Sequence, residues 1–168
     1  MIVKHCLDKF YVSNNIPPDG GSEESTVQMK FGVFSLTLPN PKFRRDVTHI
    51  HDIHHILNNC DTSWKGEGFI AGWEISTGIW RYLPVGLLSL WTMGYSIWLH
   101  PKSVYQGYVR GKSQFDILGL EYSKEVLLNM ELDKLRDRVA KPDTLSTTST
   151  LFSFLFWGLI SQIFLFSP

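Results

Sequence analysis

One dense run of this chain offers side chains that bind metals: His51-Asp52-Ile53-His54-His55, with Glu67 after eleven intervening residues. On a helix each residue turns about 100°, so His51 and His55, one turn apart, project their imidazoles from the same side. Two nitrogens can then meet one ion. A third ligand has to come from a second element, and the turn-forming stretch Asn58 to Ser63 can fold a following helix back so that Glu67, in its first turn, faces the pair. Two His and one carboxylate form a catalytic ligand set for zinc, because coordination stays open for water or substrate. Asp52, on the flank of that face, is either a fourth ligand or the carboxylate that orients a ligating ring. The same pair beside an acid also arises in helices that hold no metal.

The neighbouring ionisable residues divide less sharply. Glu74 falls seven residues after Glu67, two turns along the same face, too far to share the ion directly. It reads as a catalytic proton carrier or substrate contact, and equally as an ordinary helix acid paired with a nearby base. His54 lies closer to the apolar stripe of Ile50, Ile53 and Leu57 and is assigned to packing or a backbone hydrogen bond. Three rival metal motifs fail. A thermolysin-like peptidase needs Glu where Asp52 stands. A membrane desaturase needs about eight histidines, and the chain has 6. A His-Asp phosphohydrolase needs a well-separated upstream His, and His49 is too close while His5 lies beyond a loop.

The elements that must position these residues are mainly helical. Residues 1 to 12 suit a short amphipathic helix, followed by a loop from Ser13 to Thr26 rich in Asn, Pro and Gly. Alternation of Val27, Met29, Phe31 and Val33, then of Phe34, Leu36 and Leu38, predicts extended strands or a hairpin with a bulge or bend at Gly32. Helices are expected from about Phe43 to Asn58, from about Gly66 to Trp80, over the uncharged run Leu83 to Leu99, and through Val126 to Val139. Residues 1–140 thus form a helical metal-binding and lipid-binding domain, 141–150 a polar linker, and 151–168 an uncharged C-terminal hydrophobic helix.

Composition narrows the partners. The chain has 168 residues with 16 Lys plus Arg against 16 Asp plus Glu, so no basic field exists to capture nucleic acid by counterion release. With 43% hydrophobic, 14% aromatic and 19% charged residues, it is greasier than an average soluble domain, which points to lipid. Two cysteines, Cys6 and Cys60, form no disulfide framework and suit a reducing compartment. The charges Lys4, Asp8 and Lys9 interrupt what an export signal would need as an apolar core.

The pattern His-Asp-x-x-His, eleven residues, Glu, filled here by His51, Asp52, His55 and Glu67, resembles that of the ubiquinone biosynthesis family known as coenzyme Q biosynthesis protein four. The stretches Leu38-Pro-Asn-Pro-Lys-Phe-Arg-Arg45, Gly66-Glu-Gly-Phe-Ile-Ala-Gly-Trp-Glu74 and Tyr105-Gln-Gly-Tyr-Val-Arg-Gly-Lys112 look like those of its short bacterial members. The likeness covers roughly residues 30 to 140. It implies a mostly helical fold, zinc held by the four motif residues, and work at a membrane on a polyprenylated hydroxybenzoate ring. The activity implied is metal-dependent removal of the C1 carboxylate, a lyase reaction, with hydroxylation of that carbon. The family is also associated with organising other quinone-biosynthesis proteins.

A prenylated substrate needs a place for its tail. Leu83 to Leu99, with Trp91, Trp98 and the small residues Gly86, Ser89 and Gly94, fits an isoprenoid groove inside the core better than a bilayer span. Lys102, Tyr105, Tyr108, Arg110 and Lys112 make a basic, aromatic surface suited to lipid headgroups, or an ordinary solvated helix face. Leu151 to Phe166 reads as a membrane anchor, either an untilted crossing of a thin bilayer or a shallow interfacial insertion, and the preceding Lys134, Arg136, Arg138 and Lys141 predict that the domain stays on the cytoplasmic side. Self-association as a homodimer through this segment is the rival reading. Two further classes remain beside the decarboxylase: a non-catalytic lipid-binding scaffold for quinone-biosynthesis enzymes, and a prenyl phosphate hydrolase.

Overall fold

A computed structural model describes residues 1–31, 34–141 and 147–166. Its elements run α1 (Val3–Asn14), β1 (Thr26–Phe31), β2 (Phe34–Pro39), α2 (Lys42–Asn58), α3 (Trp64–Thr77), α4 (Val85–Leu99), α5 (Pro101–Lys112), α6 (Lys124–Asn129), α7 (Leu132–Val139) and α8 (Thr147–Phe166). The chain is therefore mainly α, as its periodicity predicts. The two strands pair antiparallel from Thr26 opposite Pro39 to Phe31 opposite Phe34. The bend assigned to Gly32 lies outside the described residues, as do 142–146 of the expected linker.

Apolar residues gather into two cores. In the first, Val3, Leu7 and Phe10 of α1 meet Ile50, Ile53 and Leu57 of α2, with Leu127 of α6 and Leu135 and Val139 of α7 closing the far side. In the second, Ala71 and Ile75 of α3 pack on Leu90 and Met93 of α4 and on Val104 and Tyr108 of α5, and Phe154, Trp157 and Ile160 of α8 lie against them. Helix α2 belongs to one core and α3 to the other, so the facing sides of α2 and α3 form a seam where polar groups can sit.

The turn between them is built from local chemistry. Asn59 closes α2 in the left-handed region at φ 55°, and its N–H donates to the His55 carbonyl. The Ser63 side chain then accepts from the Gly66 N–H at 3.3 Å and starts α3, while Asp61 Oδ1 accepts from Ser63 Oγ at 2.6 Å. One asparagine and one serine cap thus reverse the chain and bring Glu67 back over α2. Helix α5 fixes α3 from the other side at backbone contact: a Cβ on Gly107 would collide with the Phe69 carbonyl, and one on Gly72 with the Val104 carbonyl.

Three differences from the sequence reading have physical causes. Helix α5 reads in the sequence only as a basic, aromatic surface, because Ser103, Gly107 and Gly111, which carry no apolar signal, make up most of its buried side beside Val104 and Tyr108. The stretch Val126 to Val139 is two helices, since Met130 and Glu131 are extended and Met130 and Met1 accept backbone bonds that tie down the N-terminus. Finally, Gly86, Ser89 and Gly94 do not line a groove. Gly86 abuts the Trp80 backbone, Ser89 bonds a carboxylate, and Gly94 admits the Ser161 backbone of α8.

Candidate metal centre

Three atoms converge in the seam. His55 Nε2 lies 3.3 Å from His51 Nε2, His55 Nε2 lies 3.3 Å from Glu67 Oε1, and His51 Nε2 lies 3.4 Å from Glu67 Oε2. The helical i, i+4 geometry delivers the two rings, and the Asn59–Ser63 turn delivers the carboxylate. His55 is nearly closed off at 1% side-chain exposure, while His51 and Glu67 remain 39% and 25% exposed, so the group opens on one side.

The backing of His51 fixes its chemistry. Its Nδ1 sits 3.0 Å from Glu74 Oε1, and an ionised carboxylate can only accept, so Nδ1 carries the hydrogen. The Nε2 is then a bare lone pair facing another acceptor, Glu67. His55 can donate from Nε2, but the bare His51 Nε2 still faces Glu67 Oε2 at 3.4 Å, an acceptor pair that a proton on His51 or a metal ion relieves. Ligand atoms bound to one tetrahedral zinc at 2.0–2.1 Å stand about 3.3 Å from each other. The observed triangle has that size, and the residues fit a divalent ion.

His51, His54 and Glu74 form a second group close enough to hold an ion. Here both imidazole Nδ1 atoms approach the same oxygen, at 3.0 and 2.7 Å. Those are the lengths of N–H donors on a carboxylate. Ser89 Oγ on α4 donates to the other oxygen at 2.6 Å, so Glu74, 3% exposed, has both oxygens engaged. It stands behind the rings as the acceptor that sets the tautomer of His51. Of the two readings of Glu74, a catalytic proton carrier or substrate contact and a helix acid paired with a nearby base, the geometry shows the pairing, with His51 and His54 as the partners.

Electrostatics follow this arrangement. Burial alone would raise the Glu67 carboxyl, but the His55 and His51 rings beside it hold it down at about 2. Burial also works to raise Glu74, and His51 and His54 bring it well below the usual carboxylate range. Enclosure opposes a charge on His51, yet Glu74 and Glu67 lift it well above 6.5. His54, fully buried against the Trp73 ring at 4.7 Å, has its pKa pushed down by desolvation. The buried His54 Nε2 and His55 Nδ1 have no hydrogen-bond partner among the described residues.

Asp52 belongs to neither group. It accepts from Tyr11 OH at 2.9 Å, and Gly20, at φ 71°, covers it so closely that a Cβ there would meet Asp52 Oδ2 at 2.7 Å. Burial raises its pKa, against the pull of His51 and Tyr11. The carboxylate therefore ties α1 and the loop after it to the metal helix. Arg44, two turns before His51 on the same face of α2, donates to Asn40 Oδ1 at 3.0 Å, and burial lowers its pKa while Asp52 and Glu67 raise it.

The residues expected at a lipid interface are dispersed. Trp91 stacks on Tyr95 at 6.0 Å, Tyr105 meets Phe154 edge-on at 5.0 Å, and Lys112 donates to Ser153 Oγ at 3.1 Å. Lys102, Arg110 and Trp98 are exposed, and Trp98 Nε1 donates to Gln162 Oε1 at 2.7 Å. Of the site residues, sequence reasoning missed His54, Ser89 and Tyr11 as polar partners. A lone serine within the apolar run 83–99 was the available signal for Ser89.

Comparison of the chain with protein-family models, with curated proteins and with solved structures returns no match.

Proposed function

We propose that this chain is a zinc-dependent, membrane-associated enzyme of ubiquinone biosynthesis that decarboxylates C1 of a polyprenylated hydroxybenzoate ring. The carrying observation is the triangle of His51 Nε2, His55 Nε2 and Glu67, with a buried carboxylate behind His51. It is the arrangement that the motif resemblance implies for three of its four residues.

A divalent ion held by His51, His55 and Glu67 supplies a Lewis acid for a ring carboxylate or phenolic oxygen. Glu74 keeps His51 from rotating or changing tautomer, and Ser89 keeps Glu74 from swinging away. Arg44 offers a cation on the same face, suited to a carboxylate substrate. The side on which His51 and Glu67 stay exposed admits the ring and the water that returns a proton to C1 after carbon dioxide leaves. Hydroxylation of that carbon, which the resemblance also implies, requires an oxidant as co-reactant. Helix α4 backs the site through Ser89, behind Glu74 and away from the open side, and meets α8 through Gly94. The cations Lys134, Arg136, Arg138 and Lys141 support the cytoplasmic leaflet as the working surface.

The test is elemental analysis of the wild type beside His55→Ala, then a single turnover on prenylated 4-hydroxybenzoate labelled in its carboxylate. One zinc per chain, absent from the variant, with release of labelled carbon dioxide is expected. Bound zinc without ring product would favour the scaffold reading, and inorganic phosphate from a prenyl phosphate would favour a hydrolase.

A further inference from the structure

The 16 acids are not spread evenly over this neutral chain. Residues 75–115 and 144–168 contain none, yet the first of these stretches carries Arg81, Lys102, Arg110 and Lys112. These stretches are α4, α5 and α8, which lie together as one layer of the fold. The same layer holds the exposed apolar side chains of α8. Phe152, Leu155, Leu159, Ile163 and Phe166 recur at three- and four-residue spacing on one face of that helix, with Phe152 and Phe166 exposed at 70% and 71%.

The opposite face of α8 is seated on the domain. Ser153 Oγ accepts from Lys112 Nζ, and Phe154 meets the Tyr105 and Tyr108 rings. Ser161 packs against Gly94, and the Gln162 amide donates to the Gly94 carbonyl at 3.0 Å while accepting from Trp98 Nε1. Contacts therefore run from near the start of α8 almost to its end, and the helix lies along α5 and α4. By length and composition it is the one helix among the described residues able to cross a membrane. Crossing would require either peeling it off these contacts or drawing Lys112 and the polar end of α5 into hydrocarbon.

We infer that α8 lies in the plane of the membrane interface, its Phe152–Phe166 face dipped among the acyl chains of an anionic bilayer and the cations Arg81, Lys102 and Lys112 set against the headgroups. The charge pattern selects this occupant over a second copy of the chain. A two-fold contact through this face would bring Arg81, Lys102 and Lys112 of one copy toward those of the other, and α4, α5 and α8 themselves supply no carboxylate to balance them, whereas anionic lipid neutralises them. A helix with one face docked on protein and the other apolar is the geometry of a monotopic protein. The assignment depends on the layout of charge and exposed rings and not on the ring chemistry, so failure of either leaves the other standing.

The test uses the full chain and vesicles of phosphatidylcholine with or without phosphatidylglycerol. Nitroxide labels are placed one at a time at Phe152→Cys, Leu159→Cys and Phe166→Cys in a Cys6→Ser, Cys60→Ser background. The expected result is flotation with the anionic vesicles and one common, shallow depth for all three labels. Depth increasing steadily from 152 to 166 would show a span, spin–spin coupling between copies at 159 would show a dimer, and each overturns the inference. Lys102→Gln with Arg81→Gln, which alters only exposed side chains, is expected to lower partitioning roughly fivefold per cation removed. Unchanged binding by that variant, or equal binding to uncharged vesicles, would also sink it.

Discussion

His51 and Glu74 are joined at 3.0 Å through Nδ1, and this contact decides what the other side of the imidazole can do. With the hydrogen committed to Glu74, Nε2 is free to bind an ion. Glu74→Gln keeps a carbonyl oxygen for the two imidazole donors but removes the negative charge behind them and places an amide where Ser89 donates. Metal affinity is expected to fall 10–100-fold, the usual cost of losing the carboxylate behind a ligating histidine. Chelator competition measures it, and a helical spectrum equal to wild type separates the effect from unfolding. Ser89→Ala removes one charge-assisted bond to the same carboxylate and is expected to cost about 1.5–3 kcal/mol of stability in chemical denaturation.

Removing the ion should loosen the seam. A ligand at a thousandfold excess over its dissociation constant stabilises the folded chain by about 4 kcal/mol. Chelation is therefore expected to lower the melting temperature of the wild type by several degrees, and zinc to restore it. His55→Ala, lacking one corner of the triangle, is expected to melt at one temperature with or without chelator. A chelator-sensitive His55→Ala would place the ion in the His51, His54, Glu74 group.

Acidity acts on the metal-free chain through two opposed shifts. Glu67 falls from 4.5 to about 2 on folding, so its contribution is present above the unfolded value and is lost as pH falls through that range toward 2. His51 is raised well above 6.5, so its contribution is full below 6.5 and is lost as pH rises through the folded value. These two groups favour mildly acidic solution, while His49, pushed down to about 4 by burial, and His54, lowered likewise, take stability away as pH falls below 6.5. Zinc must displace the proton that His51 holds between two carboxylates, so binding at neutral pH should release protons and tighten as pH rises. Titration calorimetry in two buffers of different ionisation enthalpy counts them; zero protons released would contradict the protonated state of His51.

Much of this centre was readable from the amino-acid order because it is local. His51 and His55 share a helix face by periodicity, and the polar cluster from Asn58 to Ser63 marks the reversal that returns Glu67. What was illegible depends on which helices become neighbours. Ser89 reads as one more small residue in an apolar run until α4 is laid across α3, and Tyr11 reads as core until α1 crosses α2. His54 was assigned to packing from its angle beside Ile50 and Ile53, and it does pack on Trp73, but Glu74 reaches it from another helix. Helix α5 is hard to read because the glycines that make its contact with α3 possible leave only Val104 and Tyr108 as a buried apolar pair. The hairpin and α8 were legible from alternation and from absence of charge.

Asp52 separates the geometry from the resemblance. Held by Tyr11 at 2.9 Å and covered by Gly20, it acts as a strut between α1 and α2. Tyr11→Phe deprives a buried carboxylate of its donor and is expected to destabilise the chain by about 1–3 kcal/mol with zinc content unchanged. Asp52→Asn is expected to keep its zinc. Metal loss in Asp52→Asn comparable to that in His55→Ala would make Asp52 a ligand instead.

The last expectation concerns how precisely α3 must be held, since it carries both Glu67 and Glu74. Gly107 lets the α5 backbone touch the Phe69 carbonyl, and no rotamer relieves a Cβ that meets a backbone oxygen. Gly107→Ala must push the two helices apart, an overpacking expected to cost about 1–3 kcal/mol. Because the triangle tolerates little displacement, the shift should also weaken zinc binding, although residue 107 touches no ligand. Gly158 in α8 provides the contrast: a Cβ there meets only Ile97 Cδ1 at 3.6 Å, ordinary contact within a helix. Gly158→Ala is expected to stabilise the chain by roughly 0.5–1 kcal/mol and to leave zinc affinity alone. Equal behaviour of the two variants in denaturation and zinc titration would mean that the α3–α5 contact does not position the metal centre.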